Sequence, residues 1–279
     1  MWPVRRAIVW SLTSAVLVLT LVASACGEDD DDSESDPGTT DTSDATDTGA
    51  EPTVVTGAGN ITANVDEYRA LLGPDNGGAP ATHDTGRREI NWDQVPDELA
   101  APNPLPGDFF NGAGDPTARG AALETPGTHV AVSADGDNPS GVPVRFGDIN
   151  PSYTDAFRAF SEERLFSPVG SNVVDLRFFV PGTDTPAAVR GFGAVYTDVD
   201  REEAATFELF DADEGPLGTF SVPVSEDGLS FLGIAYPDAV VGRVRITYGD
   251  TELGPDDGDR YDVAVMDDFI YGEPQPATG

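Results

Sequence analysis

A succession of short apolar or alternating segments, each closed by a turn signal, fills residues 88–271 and leaves no interval suited to a long helix. The segments run Arg88–Trp92, Ala121–Glu124, His129–Ser133, Ala156–Phe160, Asn172–Val180, Val189–Val199, Ala205–Asp211, Leu217–Val222, Leu229–Ala235, Gly242–Tyr248 and Asp262–Tyr271. Pro181-Gly182, Asp213-Glu214-Gly215 and Asp227-Gly228 stand where hairpins turn. From Arg243 to Tyr248 the apolar residues face one way and the arginines and Thr247 the other, and Phe207 and Leu209 likewise oppose Thr206 and Glu208, so these strands keep one wet face. Phe178-Phe179-Val180 and Phe269-Ile270-Tyr271 are apolar throughout, which predicts cover on both sides or a place near a sandwich edge. The pattern predicts an all-β fold over 87–272, an antiparallel β-sandwich of the jelly-roll kind. Gly191-Phe192-Gly193 falls inside a strand, where it reads as a bulge or a close contact.

The chain before this region has a different character. Arg5 and Arg6 precede an apolar stretch, Ala7 to Ala25, that reads as an export signal over 1–25, with a weaker match to a twin-arginine leader. Ala23-Ser24-Ala25-Cys26 is similar to a lipobox, which implies cleavage before Cys26 and diacylglycerol on its thiol. Several acyl chains at about 0.8 kcal/mol per buried methylene hold a protein on a bilayer where one is marginal; an uncleaved transmembrane helix is the alternative. Residues 26–60 are rich in Asp, Glu, Ser, Thr and Gly, with acids from Glu28 to Glu51 and no base, so a disordered, self-repelling tether is expected. Residues 61–86 predict a short helix, capped by Asn64 with Asp66 and Glu67 in its first turn and ending at Gly73-Pro74, then a loop; 273–279 form a tail. Asn60-Ile61-Thr62 fits the N-glycosylation triplet.

With 15 basic and 50 acidic residues the net charge is −35, and every cation is an arginine, which excludes a nucleic-acid binder working through phosphate contacts. So acidic a domain suits a salty medium, where self-repulsion is screened. Cys26 is the one cysteine, so an internal disulfide is impossible. His83 and His129 are the two histidines, and no Gly-x-Ser-x-Gly turn accompanies them, which leaves a Ser-His-Asp relay through His129 unsupported. Calcium candidates are Asp198 and Asp200, flanking Val199 at a strand end, and Asp267 and Asp268, two acids in an apolar strand that need partners if buried. The acids at 211, 213 and 214, at 135 and 137, and at 256, 257 and 259 lack EF-hand spacing and read as solvated turns. Trp92, Phe109, Phe110, Tyr153 and Tyr196 are the aromatic candidates for a carbohydrate platform, with core packing as the ordinary alternative.

The runs GFGAVYTDVD (191–200), LGTFSVPV (217–224), GLSFLGIAY (228–236), RVRITYG (243–249) and VMDDFIYGEP (265–274) resemble an uncharacterised family of exported bacterial β-sandwich proteins. INWDQVPDELAAPNPLPGDFFN (90–111) and FSPVGSNVVDLRFFVPG (166–182) fit the same family. Many members end in a PEP-CTERM sorting tail; here the lipobox takes the anchoring role. The last strand is also similar to the closing strand of galactose-binding and carbohydrate-binding sandwiches. The resemblance implies no activity. Together these features predict an extracytoplasmic lipoprotein, anchored to the bilayer through acylated Cys26 and presenting a non-catalytic sandwich to a glycan or envelope component. The alternatives are an extracellular polysaccharide hydrolase using paired carboxylates and a purely architectural envelope protein.

Overall fold

The computed structural model describes residues 51–113, 116–257 and 260–277. Along the chain come β1 (Thr53–Ala58), α1 (Thr62–Leu72), β2 (Arg87–Ile90), β3 (Ala121–Glu124), β4 (His129–Val132), α2 (Tyr153–Ala156), β5 (Phe166–Val169), β6 (Val173–Phe178), β7 (Ala187–Ala188), β8 (Gly191–Val199), β9 (Thr206–Phe210), β10 (Pro216–Ser221), β11 (Ser225–Ala235), β12 (Arg243–Thr247), β13 (Val265–Gly272) and β14 (Gln275–Pro276). One sheet has the order β1-β11-β8-β13-β5-β4, with β2 also paired to β13; the other has the order β10-β9-β12-β6-β3. Neighbouring strands are antiparallel, and the chain passes from sheet to sheet repeatedly, as a jelly-roll sandwich requires.

Aromatic side chains fill the space between the sheets. Trp92 stacks on Phe166 at 4.1 Å between centroids, with Phe110 and Phe269 edge-on to it at 5.6 and 4.9 Å. Phe269 meets Phe192, and Phe192 meets Phe207, at 5.2 and 4.9 Å. The smaller sheet turns Val174, Leu176, Phe207, Leu209, Val244 and Ile246 inward, as period two demands. Its outer face is charged: Asp175 pairs with Arg243 and Arg245, and Glu214 with Arg177 and Arg243, whose guanidinium lies 3.8 Å from the Phe210 centroid. Of the two readings of 178–180, cover on both sides is corrected, while β6 does lie next to the edge strand β3. β6 ends at Phe178 and its outward residues include Asp175 and Arg177, so this sheet is wet on one side.

The larger sheet is covered on both faces. Phe269 and Tyr271 point into the sandwich, while Ile270 packs outward with Val55, Val65, Tyr68 and Leu72 beneath α1. Gly193 and Gly233 are direct cross-strand partners, and the Tyr68 ring lies on the bare patch they leave: a Cβ on either would stand 2.6 Å from a ring carbon. Tyr68 Oη donates to the Ile234 carbonyl at 2.9 Å. The glycines of 191–193 thus mark a close contact.

Several expectations change. β1 lies within the stretch read as tether; its Thr-Val-Val-Thr core is short and flanked by Pro52 and Gly57, and it becomes a strand because the edge of β11 supplies hydrogen-bond partners. The helix starts at Thr62 behind Ile61, and Asn64 instead donates to the Thr56 carbonyl at 2.8 Å. Residues 156–160 are not a strand: Tyr153 and Phe157, one helical turn apart, stack at 4.2 Å and pack with Leu165 and Val265. β5 was hidden by Pro168. Asp227-Gly228 does not turn a hairpin; it is an irregularity inside β11, between Ser225 and Leu229. The tail is bound too, since β14 pairs with β7.

Candidate functional site

Two consecutive aspartates in an apolar strand set the site. Across β13, Met266 faces Tyr196 and Phe269 faces Ala194, so β13 carries an extra residue and bulges at Asp267 and Asp268. Both carboxyls reach one hydroxyl: Ser161 Oγ is 3.1 Å from Asp267 Oδ1 and 2.6 Å from Asp268 Oδ1. On the other side of β13 the neighbour changes here, from β2 at 269–272 to β5 at Met266. Trp92 Nε1 donates to the Asp267 carbonyl at 2.7 Å across that change of partner.

Asp267 Oδ2 accepts the Phe160 and Ser161 amides at 2.5 and 3.1 Å, and Asp268 Oδ2 lies 3.3 Å from Arg69 Nη2. A single hydroxyl hydrogen cannot serve two carboxylates, and the two residues are 0% and 2% exposed. Burial, then the charge of Asp268, pushes Asp267 well above the usual carboxylate range; burial also raises Asp268, against the donors Ser161 and Arg69. A proton shared within the pair relieves both the repulsion and the missing donor.

Beside the pair opens a cleft of about 260 Å³. Helix α1 supplies Arg69, the turn after it Asp75, Gly77 and Gly78, β2 and its continuation Glu89, Asn91 and Gln94, with Arg119, Ser161 and Asp268 closing the wall. Arg69 donates twice to Glu89, at 3.0 and 2.7 Å, and Arg87 Nε donates to Glu89 at 2.6 Å. Burial works against the Glu89 charge, but these guanidinium bonds prevail and hold its carboxyl below the ordinary value. Arg119 Nη2 donates to Gln94 Oε1 at 2.9 Å, its guanidinium 5.4 Å from the Phe110 centroid. Gly78 admits that guanidinium, since a Cβ there would stand 2.7 Å from Nη2.

The turn on the cleft rim is fastened from below. Arg88, 0% exposed, pairs with Glu273 through Nε and Nη2 at 2.6 and 2.7 Å and donates to the carbonyls of Gly77, Ala79 and Ala81. Glu273 also accepts Asn76 Nδ2 and the His83 amide. All five guanidinium hydrogens are used.

The four calcium candidates are divided between two places. Asp198 and Asp200 lie with Asp227, Asp257 and Asp262 at the end of β8: Asp198 Oδ1 accepts the Asp227 amide at 2.8 Å, and Asp262 Oδ2 accepts the amides of Asp200 and Arg201. Burial pushes Asp198 up to about 7 and Asp262 up to about 6, with Asp200 also raised, chiefly by burial. Among the described residues no three His, Cys, Asp or Glu side chains are arranged to hold a metal ion.

The aromatic platform is overturned. Trp92, Phe110 and Tyr196 are in the inter-sheet core, Phe109 packs against it, and Tyr153 is buried under the outer face. The core draws on aromatic area more strongly than the surface does. His129 Nδ1 faces Thr128 Oγ1 at 3.0 Å rather than a relay carboxylate. Asp211 caps its own turn through the Asp213 and Gly215 amides, as a solvated turn should.

Sequence reading missed Arg69, Glu89, Asn91, Gln94, Arg119 and Ser161. The one legible signal was the pair of acids in an apolar strand, which demanded partners without naming them. The leader, Cys26 and the tether to residue 50 lie outside the described residues, and among the described residues no helix is long and apolar enough to cross a membrane. Comparison of the chain with models of known protein families, with curated proteins and with solved structures finds no match.

Proposed function

We propose that the protein is an extracytoplasmic lipoprotein, held on its membrane by acylated Cys26, whose sandwich is a non-catalytic binding module for envelope or extracellular glycans. One observation supports the non-catalytic reading: of the two adjacent carboxyls at the bulge of β13, Asp267 is committed to the protein itself. Asp267 accepts two backbone amides and approaches the Ser161 hydroxyl, which fastens the segment after α2 to the sheet. A general acid or nucleophile needs an oxygen within reach of substrate, and Asp267 is fully buried. The spacer composition between Cys26 and β1 supports the anchored part of the reading.

A glycan array probed with the mature chain, run beside a reducing-end assay on the same polysaccharides, tests it. Binding without release of reducing ends is the expected outcome. Release would establish the hydrolase alternative, and a blank array would leave an architectural role. For the anchor, palmitate label is expected to disappear in Cys26→Ser; label that persists removes the lipoprotein.

A further inference from the structure

We infer that the cleft between α1, β2 and the bulge of β13 is a subsite for one neutral, polyhydroxylated ring, a single sugar unit or cyclic polyol. This rests on the binding-module reading and adds the place and the ligand class.

Size is the first constraint. About 260 Å³ falls below the range of roughly 300–1,000 Å³ in which drug-sized ligands bind, so the occupant is small. The second is the wall. Apart from two glycines, every lining residue carries a hydrogen-bonding side chain, so an aromatic or aliphatic guest would strand polar groups without gaining apolar contact.

Charge decides among polar guests. Arg69 and Arg119 stand in the wall with Asp75, Glu89 and Asp268, and Arg69 is committed to Glu89 and Asp268. An anion would have to take Arg69 from those partners or Arg119 from Gln94 and the Thr117 carbonyl, and a cation would have to take Glu89 from Arg69 and Arg87; either strips a half-buried group of its partner. A neutral hydroxyl disturbs neither. Carboxylate oxygens have lone pairs beyond those used in the ion pairs, and Asn91 and Gln94 each present a donor and an acceptor. Adjacent hydroxyls on a ring offer the same mixture. The acid-lined cleft at Asp93, Asp135, Asp137, Glu162 and Glu163 has no such balance. The wall is also preorganised: Arg88 pins the Gly77 carbonyl, and Asp267 pins Ser161, so little ordering is left for binding to supply.

The test is a backbone amide NMR titration of the mature chain with glucose, galactose, xylose, N-acetylglucosamine and inositol, with glucuronate, phosphate and putrescine as charged controls. At least one neutral ring is expected to shift Gly77, Gly78, Asn91, Gln94 and Ser161 with a Kd on the order of 1 mM, as befits a small ligand. Gln94→Ala and Asn91→Ala should weaken it at least tenfold. The inference is overturned if the neutral rings leave these amides unmoved, if the charged controls bind there more tightly, or if both variants retain full affinity. The wild-type shift map decides even if a variant does not fold. A glycan-array hit whose binding survives Gln94→Ala and Asn91→Ala would keep the binding module and remove this subsite.

Discussion

Replacing Arg88 by methionine keeps most of the side-chain volume and removes a guanidinium that is 0% exposed and uses all five of its hydrogens. Glu273, 3% exposed, would be left with Asn76 and the His83 amide as its donors, and the carbonyls of Gly77, Ala79 and Ala81 would lose theirs. Breaking one side of a buried ion pair costs about 3–5 kcal/mol, a large part of a total stability of roughly 5–15 kcal/mol. Much of that cost is the stranded charge, so Arg88→Met/Glu273→Gln should recover at least about 1 kcal/mol over the sum of the single variants. Urea unfolding at neutral pH reads both numbers. In a protein expressed without residues 1–25, Trp92 is the sole tryptophan, and its stacking on Phe166 in the core makes it the reporter. Hydrogen exchange at residues 76–86 should rise in Arg88→Met before the sheets open. A loss under about 1 kcal/mol, or a double variant no better than the singles added, would refute the view that this pair is buried, committed and responsible for the cleft rim.

Gly193→Ala should destabilise the fold by about 1–3 kcal/mol through collision with the Tyr68 ring and a 3.0 Å approach to the Gly233 Cα, and in a Tyr68→Ala background the alanine should cost less, the backbone approach remaining; thermal unfolding of the four variants checks this. Asp198 lies up at about 7 in the fold against about 3.9 in an open chain. An acid raised in this way contributes stability that is complete below the unfolded value and is lost as pH rises through the folded one. Tm should therefore fall between about pH 4 and about pH 7, and Asp198→Asn should flatten that slope; an unchanged slope assigns the effect elsewhere. Arg245→Ala removes a pair that is 42% exposed on the arginine side and should cost under about 1 kcal/mol in urea unfolding.

Much of the small sheet was readable because one of its faces meets water. Alternation at Thr206–Phe210 and Arg243–Thr247 records that boundary directly, and both strands lie where the pattern put them. The strands that escaped notice owe their structure to neighbours far along the chain: β1 is a strand because β11 offers an edge, and β5 holds Pro168 because β4 and β13 flank it. The cleft was less legible still. Arg69 and Asp268 are 199 positions apart, and no local period relates them.

Sequence alone determined the class of fold, the acidic character and the demand that Asp267 and Asp268 find partners, since each follows from composition or from spacing within one strand. Tertiary structure decided which residues answer that demand, that the aromatics serve the core, and that a cleft lined by charges of both signs opens where β13 changes neighbours. Hydrogen bonds and ion pairs act over a few ångströms, so the closure of the sheets, rather than distance along the chain, chooses their members.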